Sequence, residues 1–166
     1  ASELLKKTQA QVVKLEGGET QLKTVETLSK FGIASCAHLG LQPQMVHKLG
    51  GYRVQGKAKS AAEQMINTAS DLEQAGTDIL LLESVPATPA AEISAARGIP
   101  VIGIGAGIDV DGQILVLQDI LNITEGKKPK FSKNFMQGQS SIQDAVSRYV
   151  SEVKRGQFPD QSHSFS

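Results

Sequence analysis

The chain of 166 residues has no tryptophan, few aromatics of any kind and a single cysteine, Cys36. One cysteine excludes an internal disulfide framework and a thiolate zinc site, and it suits a reducing cytoplasm. There is no surplus of charge. Lys+Arg and Asp+Glu both number 17, so the formal net charge is zero, and no basic excess points to nucleic acid or an anionic membrane as a partner. No apolar run reaches the roughly 18 residues of a transmembrane helix. Residues 1–10 lack the apolar stretch of a signal peptide. Solenoid repeats and low-complexity tracts are absent too. What is present is a globular composition, 40% hydrophobic and 20% charged, in a chain long enough for one domain with a sizeable core.

The dominant pattern is short apolar runs alternating with helical segments. The runs are residues 11–18 (QVVKLEGG), 32–40 (GIASCAHLG), 78–85 (DILLLESV), 99–107 (IPVIGIGAG) and 113–121 (QILVLQDIL), the last equally readable as a helix. Near-continuous apolar runs bounded by Gly and Pro fit parallel strands buried on both faces. Helices are expected over 20–30, with Leu22, Val25 and Leu28 on one face, over 60–74 and over 88–97. The second opens on a Ser-x-x-Glu capping box, Ser60 and Glu63, and ends at Gly76; the third ends at Gly98. The connection 41–59 is long and rich in Gly, Gln and Pro, which marks a functional or irregular loop. Beyond residue 127 the rhythm stops, leaving a loop, an amphipathic helix over 141–155 and a polar tail.

This is the βαβ rhythm of an α/β fold. A full (β/α)8 barrel takes about 250 residues. Four or five strands in this chain fit a barrel lacking about its first three βα units, which need on the order of 90 residues. The opening agrees, since ASELLKKTQA carries no initiator Met and runs as a helix straight into a strand. Residues 1–166 are therefore expected to be a single domain: strands 4–8 of one barrel plus a C-terminal helix and tail.

In such barrels the functional residues sit at the C-terminal ends of strands. Lys14 and Glu16, two apart in VKLEGG, share a strand face. They can bind an anionic substrate and a hard metal ion, or form a structural ion pair. His38 in CAHLG can donate to a substrate oxygen or act as acid/base, or be a hydrogen-bonded core histidine. Glu83 follows four apolar residues in ILLLE, so partial desolvation should raise its carboxyl toward the range of a general base; a solvated loop Glu is the plainer alternative. Residues 103–107 (GIGAG) match neither a Walker A nor a full dinucleotide fingerprint, so a phosphate cradle competes with a tight turn and close packing. Cys36 reads as a small buried hydrophobe. His47 and His163 have no metal-ligand spacing with each other or with His38.

In combination, VVKLEGG, AHLGLQPQ, GGYRVQG, LLLESVP, IPVIGIGAG, DGQILVLQD, KPKFSKNF and FPDQSHSF resemble the ketopantoate hydroxymethyltransferase family, in its order and spacing along almost the whole chain. Gln161, where that tail often carries Glu, is a small departure. The resemblance implies a TIM barrel of the phosphoenolpyruvate/pyruvate type. The implied reaction moves a hydroxymethyl group from 5,10-methylenetetrahydrofolate to 3-methyl-2-oxobutanoate through a Mg²⁺-stabilised enolate, giving 2-dehydropantoate for pantothenate synthesis. It also implies a cytoplasmic homo-oligomer, often a decamer. Carried over by motif, Glu16 is a metal-site residue, Lys14 binds the oxo acid, Glu83 accepts the proton and His38 lies close to the substrate. The family's two further metal-site aspartates belong to segments that do not occur here. The chain alone is thus expected to be inactive and unstable. A lyase or mutase on another 2-oxo acid, and a non-catalytic fragment, are the competing expectations.

Overall fold

The computed structural model describes residues 1–49 and 51–166. The first four apolar runs become strands: β1 (Val13–Glu16), β2 (Ser35–Gly40), β3 (Ile79–Glu83) and β4 (Val101–Ile104). A two-residue strand, β5 (Gly112–Gln113), completes one sheet in the order β1-β2-β3-β4-β5, with every pairing parallel. The helices are α1 (Ser2–Lys7), α2 (Leu22–Lys30), α3 (Val46–Leu49), α4 (Lys59–Gln74), α5 (Ala87–Ala96), α6 (Leu117–Ile120) and α7 (Ile142–Lys154). None of these is long and apolar enough to cross a membrane.

Strand order equal to chain order distinguishes this sheet from a doubly wound one, whose order reverses at a switch point. Helices α2, α4 and α5 pack on a single face. Their Val25, Met65, Ala69, Leu72, Ala90 and Ile93 form one buried cluster with Ala37, Leu39, Leu80, Leu82 and Val101. One-sided winding of this kind is consistent with the α/β barrel type. Fully burying a Leu or Ile side chain contributes on the order of 1.5–3 kcal/mol, so this layer supplies most of the adhesion between sheet and helices. Alternation along the strands then sends Lys14, Glu16, Cys36, His38, Leu81 and Glu83 to the opposite face.

At the N-terminal ends of the strands, aspartates satisfy the first free N–H of a neighbour. Asp78 Oδ2 accepts from Ser35 N–H at 2.8 Å, and Asp111 Oδ2 accepts from Val101 N–H at 2.8 Å. These bonds set the strand ends level, and with them the opposite ends that carry the candidate site.

Several boundaries depart from expectation. Only the first residue of the run 113–121 pairs as a strand, and its middle forms α6, so each of its two readings holds for a part. The capping box of Ser60 and Glu63 is not formed. Helix α4 starts two residues earlier than that cap would place it, with Ala58 as N-cap and no side-chain cap, and Glu63 instead lies 4.0 Å from Lys59 in an exposed pair. Gly76 does end α4, at φ 95°. Gly98 is not a left-handed cap for α5, because Arg97 is extended there and the Gly98 N–H donates to Glu73 Oε1 at 2.7 Å. Thr20 and Gln21 belong to a 3-10 turn, Gly18–Gln21, ahead of α2. The C-terminal helix begins where the sequence places it, with the Ser141 hydroxyl accepting from Asp144 N–H at 3.1 Å.

The C-terminal part builds its own small core. Ile120, Phe135, Ala145 and Phe158 are buried with Tyr149 and Val153 around them. Phe135 meets Tyr149 and Phe158 edge-on with ring centroids 5.2 Å apart. The Tyr149 hydroxyl donates to the Gln113 carbonyl at 2.8 Å, which joins this core to β5. Burial alone raises the Tyr149 hydroxyl to about 12. Glu152 sits beside it with Lys133 at 2.6 Å and Arg148 at 2.8 Å. Burial pushes its carboxyl up, but hydrogen bonds and charge from the two cations outweigh that and hold it below its ordinary value.

Candidate active site

The four residues singled out in the sequence come together at the C-terminal ends of three adjacent strands. Register puts Glu16 of β1 opposite His38 of β2, and Gly40 of β2 opposite Glu83 of β3. Lys14 Nζ lies 3.6 Å from Glu16 Oε1. The same carboxyl oxygen lies 3.6 Å from His38 Nδ1, and His38 Nε2 lies 3.6 Å from Glu83 Oε2. The result is a line of alternating groups, Lys14–Glu16–His38–Glu83, across the sheet. His38 is fully buried, Glu16 and Glu83 are nearly so, and Lys14 is half exposed.

None of these contacts is a hydrogen bond. Among the described residues, Glu16 Oε2 and both ring nitrogens of His38 are buried with no partner at good hydrogen-bond geometry. Buried polar groups are nearly always satisfied, and leaving one unpaired costs about 1–3 kcal/mol. Three such atoms in one spot mark a site built for something other than stability.

Electrostatics follow from this placement. Burial raises the Glu83 carboxyl to about 7; Lys14 opposes the shift and Glu16 adds to it. Burial also lowers His38, helped by the nearby Lys14 and opposed by Glu16 and by the Leu41 backbone, so the imidazole is neutral at pH 7. A neutral imidazole has one N–H and one lone pair, so it can donate to only one of its two carboxyl neighbours. Cys36, one register step before His38 on the same face, is half-buried, and burial pushes its thiol up; it behaves as the small hydrophobe expected.

The glycines at the strand ends serve close approach. A Cβ on Gly40 would fall 2.2 Å from the Glu83 carbonyl oxygen, and one on Gly105 would fall 2.5 Å from the Phe131 ring. At Gly107 the space belongs to Ala87. Gly103 lies within β4, and Gly105 and Gly107 just beyond it pack closely against Phe131 and Ala87, as the close-packing reading expects. The first residue of GGYRVQG, Gly50, lies outside the described residues; the end of that segment docks on the site, with Gln55 N–H donating to the Ser84 carbonyl at 3.0 Å. Neither Gln55 nor Ser84 was legible as a site residue, since both contribute backbone groups that leave no mark in composition or spacing. His163 lies apart, bound to Asp160 at 2.8 Å in the tail.

The sequence model of ketopantoate hydroxymethyltransferase matches residues 1–161. The chain belongs to that family. Among curated relatives, a protein of Alkalilimnicola ehrlichii is 58% identical over 99% of this chain and 60% of its own length. One of Marinobacter nauticus is 52% identical over 99% of this chain and 62% of its own, and one of Nitrosospira multiformis is 52% identical over 94% and 59%. All three are named 3-methyl-2-oxobutanoate hydroxymethyltransferase. The chain therefore spans about 60% of the length of these relatives. A solved structure, the Amycolatopsis orientalis BexX/CysO complex, superposes with a TM-score of 0.51 at 13% identity over 96% of this chain and 63% of that one. At that identity the likeness concerns the fold alone.

Proposed function

We propose that this chain carries the substrate end of a 3-methyl-2-oxobutanoate hydroxymethyltransferase, which moves a one-carbon unit from 5,10-methylenetetrahydrofolate to the oxo acid and yields 2-dehydropantoate. The observation that supports it most is Glu83: a carboxyl raised to about 7 at a strand end and set 3.6 Å from a neutral imidazole. A base poised near the working pH is what removal of a proton from carbon requires. Glu83 takes the C3 proton of the oxo acid. Water releases the folate's methylene carbon as formaldehyde, its C–N bonds breaking to leave tetrahydrofolate; the enolate adds to that carbon, and the new alkoxide takes the proton held by Glu83 to become the hydroxyl. Half-exposed Lys14 holds the oxo-acid carboxylate and fixes its orientation. His38 lies against the substrate oxygen, its one N–H available to it.

The donor set suits Mg²⁺. Such an ion binds through one or two carboxylates and keeps the rest of its shell for water and substrate oxygens. Glu16 Oε2, buried and unpartnered, is one suitable oxygen. When bound, the ion supplies Lewis-acid polarisation of the substrate carbonyl. The described residues contain no cluster of three or more His, Cys, Asp or Glu able to hold a metal. We therefore assign the activity to the chain together with the remaining length of its relatives, which would also close the barrel against the free edges of β1 and β5. Assembly into a homo-oligomer and a cytoplasmic location belong to the same reading.

The test is hydroxymethyl transfer measured with 3-methyl-2-oxobutanoate, methylenetetrahydrofolate and Mg²⁺, on this chain with and without that remaining length. Activity only in the longer form supports the reading. Activity of the 166 residues alone would show that Glu16 suffices as the metal carboxylate, and silence of both would transfer the assignment to another 2-oxo acid.

A further inference from the structure

Glu83 leaves its strand through an unusual backbone turn. Ser84 is 4% exposed and has φ 51°, in the left-handed region that non-glycine residues enter only at a cost. Such a conformation persists where its surroundings over-determine it. Here both peptide units flanking Ser84 are fully used, by four residues from three places. The Glu83 carbonyl accepts from Leu41 N–H at 2.8 Å, and Ser84 N–H donates to the Ile104 carbonyl at 2.9 Å. The Ser84 carbonyl accepts from Gln55 N–H at 3.0 Å, and Val85 N–H donates to the Gly105 carbonyl at 3.1 Å. Leu41, Ile104 and Gly105 lie at or just beyond the ends of neighbouring strands. Gln55 instead comes from the long connection between β2 and α4.

We propose that Ser84 is a positioning residue for Glu83: its left-handed turn, locked to the 51–57 loop through Gln55, aims the Glu83 carboxyl at His38. The proposal rests on the reading of Glu83 as the proton acceptor. Its physical basis is that Ser84 shares a peptide plane with Glu83. Rotation at Ser84 tilts that plane and carries the Glu83 side chain away from the 3.6 Å contact. A misplacement on the order of 1 Å at a reacting group can cost about a hundredfold in rate. Left-handed geometry at a non-glycine residue is retained at a cost in stability, which is the pattern of a functional turn.

The experiment compares Ser84→Gly, Ser84→Asn and Glu83→Gln in the full-length enzyme. Glycine carries no penalty at this φ but leaves the turn free to relax. Asparagine is one of the few other residues that favours it. Ser84→Gly is expected to keep or raise the melting temperature while kcat falls roughly ten- to a hundredfold with little change in KM. The acid limb of kcat should move down toward the ordinary carboxyl range as Glu83 loses its burial. The ionisable groups facing Glu83 are His38 from β2 and, beyond it, Lys14 and Glu16 from β1; β4 presents only Ile102 and Ile104. Ser84→Asn should restore most of kcat. The proposal is overturned if Ser84→Gly keeps the parent kcat and acid limb, or if Gly and Asn variants lose kcat and stability together. Should Glu83→Gln stay active, the base assignment fails instead, whatever the Ser84 variants do.

Discussion

Strands β1 to β4 present two faces that differ in almost every respect. Toward the helices, Leu39, Leu80, Leu82 and Val101 are buried against Val25, Leu72, Ala90 and Ile93, and the buried hydroxyls of Ser35, Thr68 and Thr77 on that side are all hydrogen-bonded. Toward the other side, the same strands carry Lys14, Glu16, His38 and Glu83, with three buried polar atoms unpaired. The helix-facing side is saturated, so each side chain lowers the free energy of the fold. The site side is unsatisfied, so it raises that energy, and the apolar layer offsets the cost. A period of two residues lets one short strand do both.

If this division is right, substitutions on the two faces should separate activity from stability. The largest effect belongs to Glu83→Gln, which should lower kcat in the full-length enzyme by about 10²–10⁴-fold while the protein stays folded. Hydroxymethyl transfer under saturating substrate measures it, and near-parent activity would remove Glu83 from the base role. Next, Leu82→Ala on the opposite face should cost about 2–5 kcal/mol in denaturant unfolding, with KM for the oxo acid unchanged wherever the variant is folded.

The pH dependence sharpens the contrast. The folded Glu83 carboxyl stands at about 7 against an ordinary 4.5. Proton binding is therefore tighter in the folded state. The stability this provides is fully present below about 4.5 and is lost as pH rises through about 7. Glu83→Gln removes the dependence, so its melting temperature should exceed the parent's at pH 8 and match it near pH 4. Equal melting temperatures at both would contradict the burial of a charge at this position. For activity the sign is opposite, because the base must be ionised, so kcat should rise with pH through about 7. Replacing Lys14 by Met removes a charge that lowers the Glu83 carboxyl, and should shift that acid limb upward as well as raise KM. The smallest effect is expected far from the site. Tyr149→Phe, which breaks the bond to the Gln113 carbonyl, should cost about 0.5–1.5 kcal/mol and leave kcat alone.

Legibility followed the same division. Strands β1 to β4 could be read because each is a short apolar run with turn residues at its ends. The raised carboxyl of Glu83 could be read because four apolar residues precede it on one strand. The Ser60–Glu63 capping box misplaced the start of α4 by two residues, since helix ends are the least sharply defined part of a helix. The close packing of Gly105 could not be read from residues 103–107, because Phe131 comes from a distant loop.

Sequence alone determined the alternation of strands and helices, the face on which Lys14 and Glu16 lie together, and the resemblance by which the family was recognised. These are local properties, carried by hydrophobic period and residue type within a few positions. Only the tertiary structure decided that His38 stands between Glu16 and Glu83, because parallel register aligns residues from three separate strands. It also decided that Ser84 turns left-handed and that Gln55 holds it there. Those facts rest on backbone hydrogen bonds between segments far apart in the chain, and a backbone N–H or carbonyl is the same for almost every residue type.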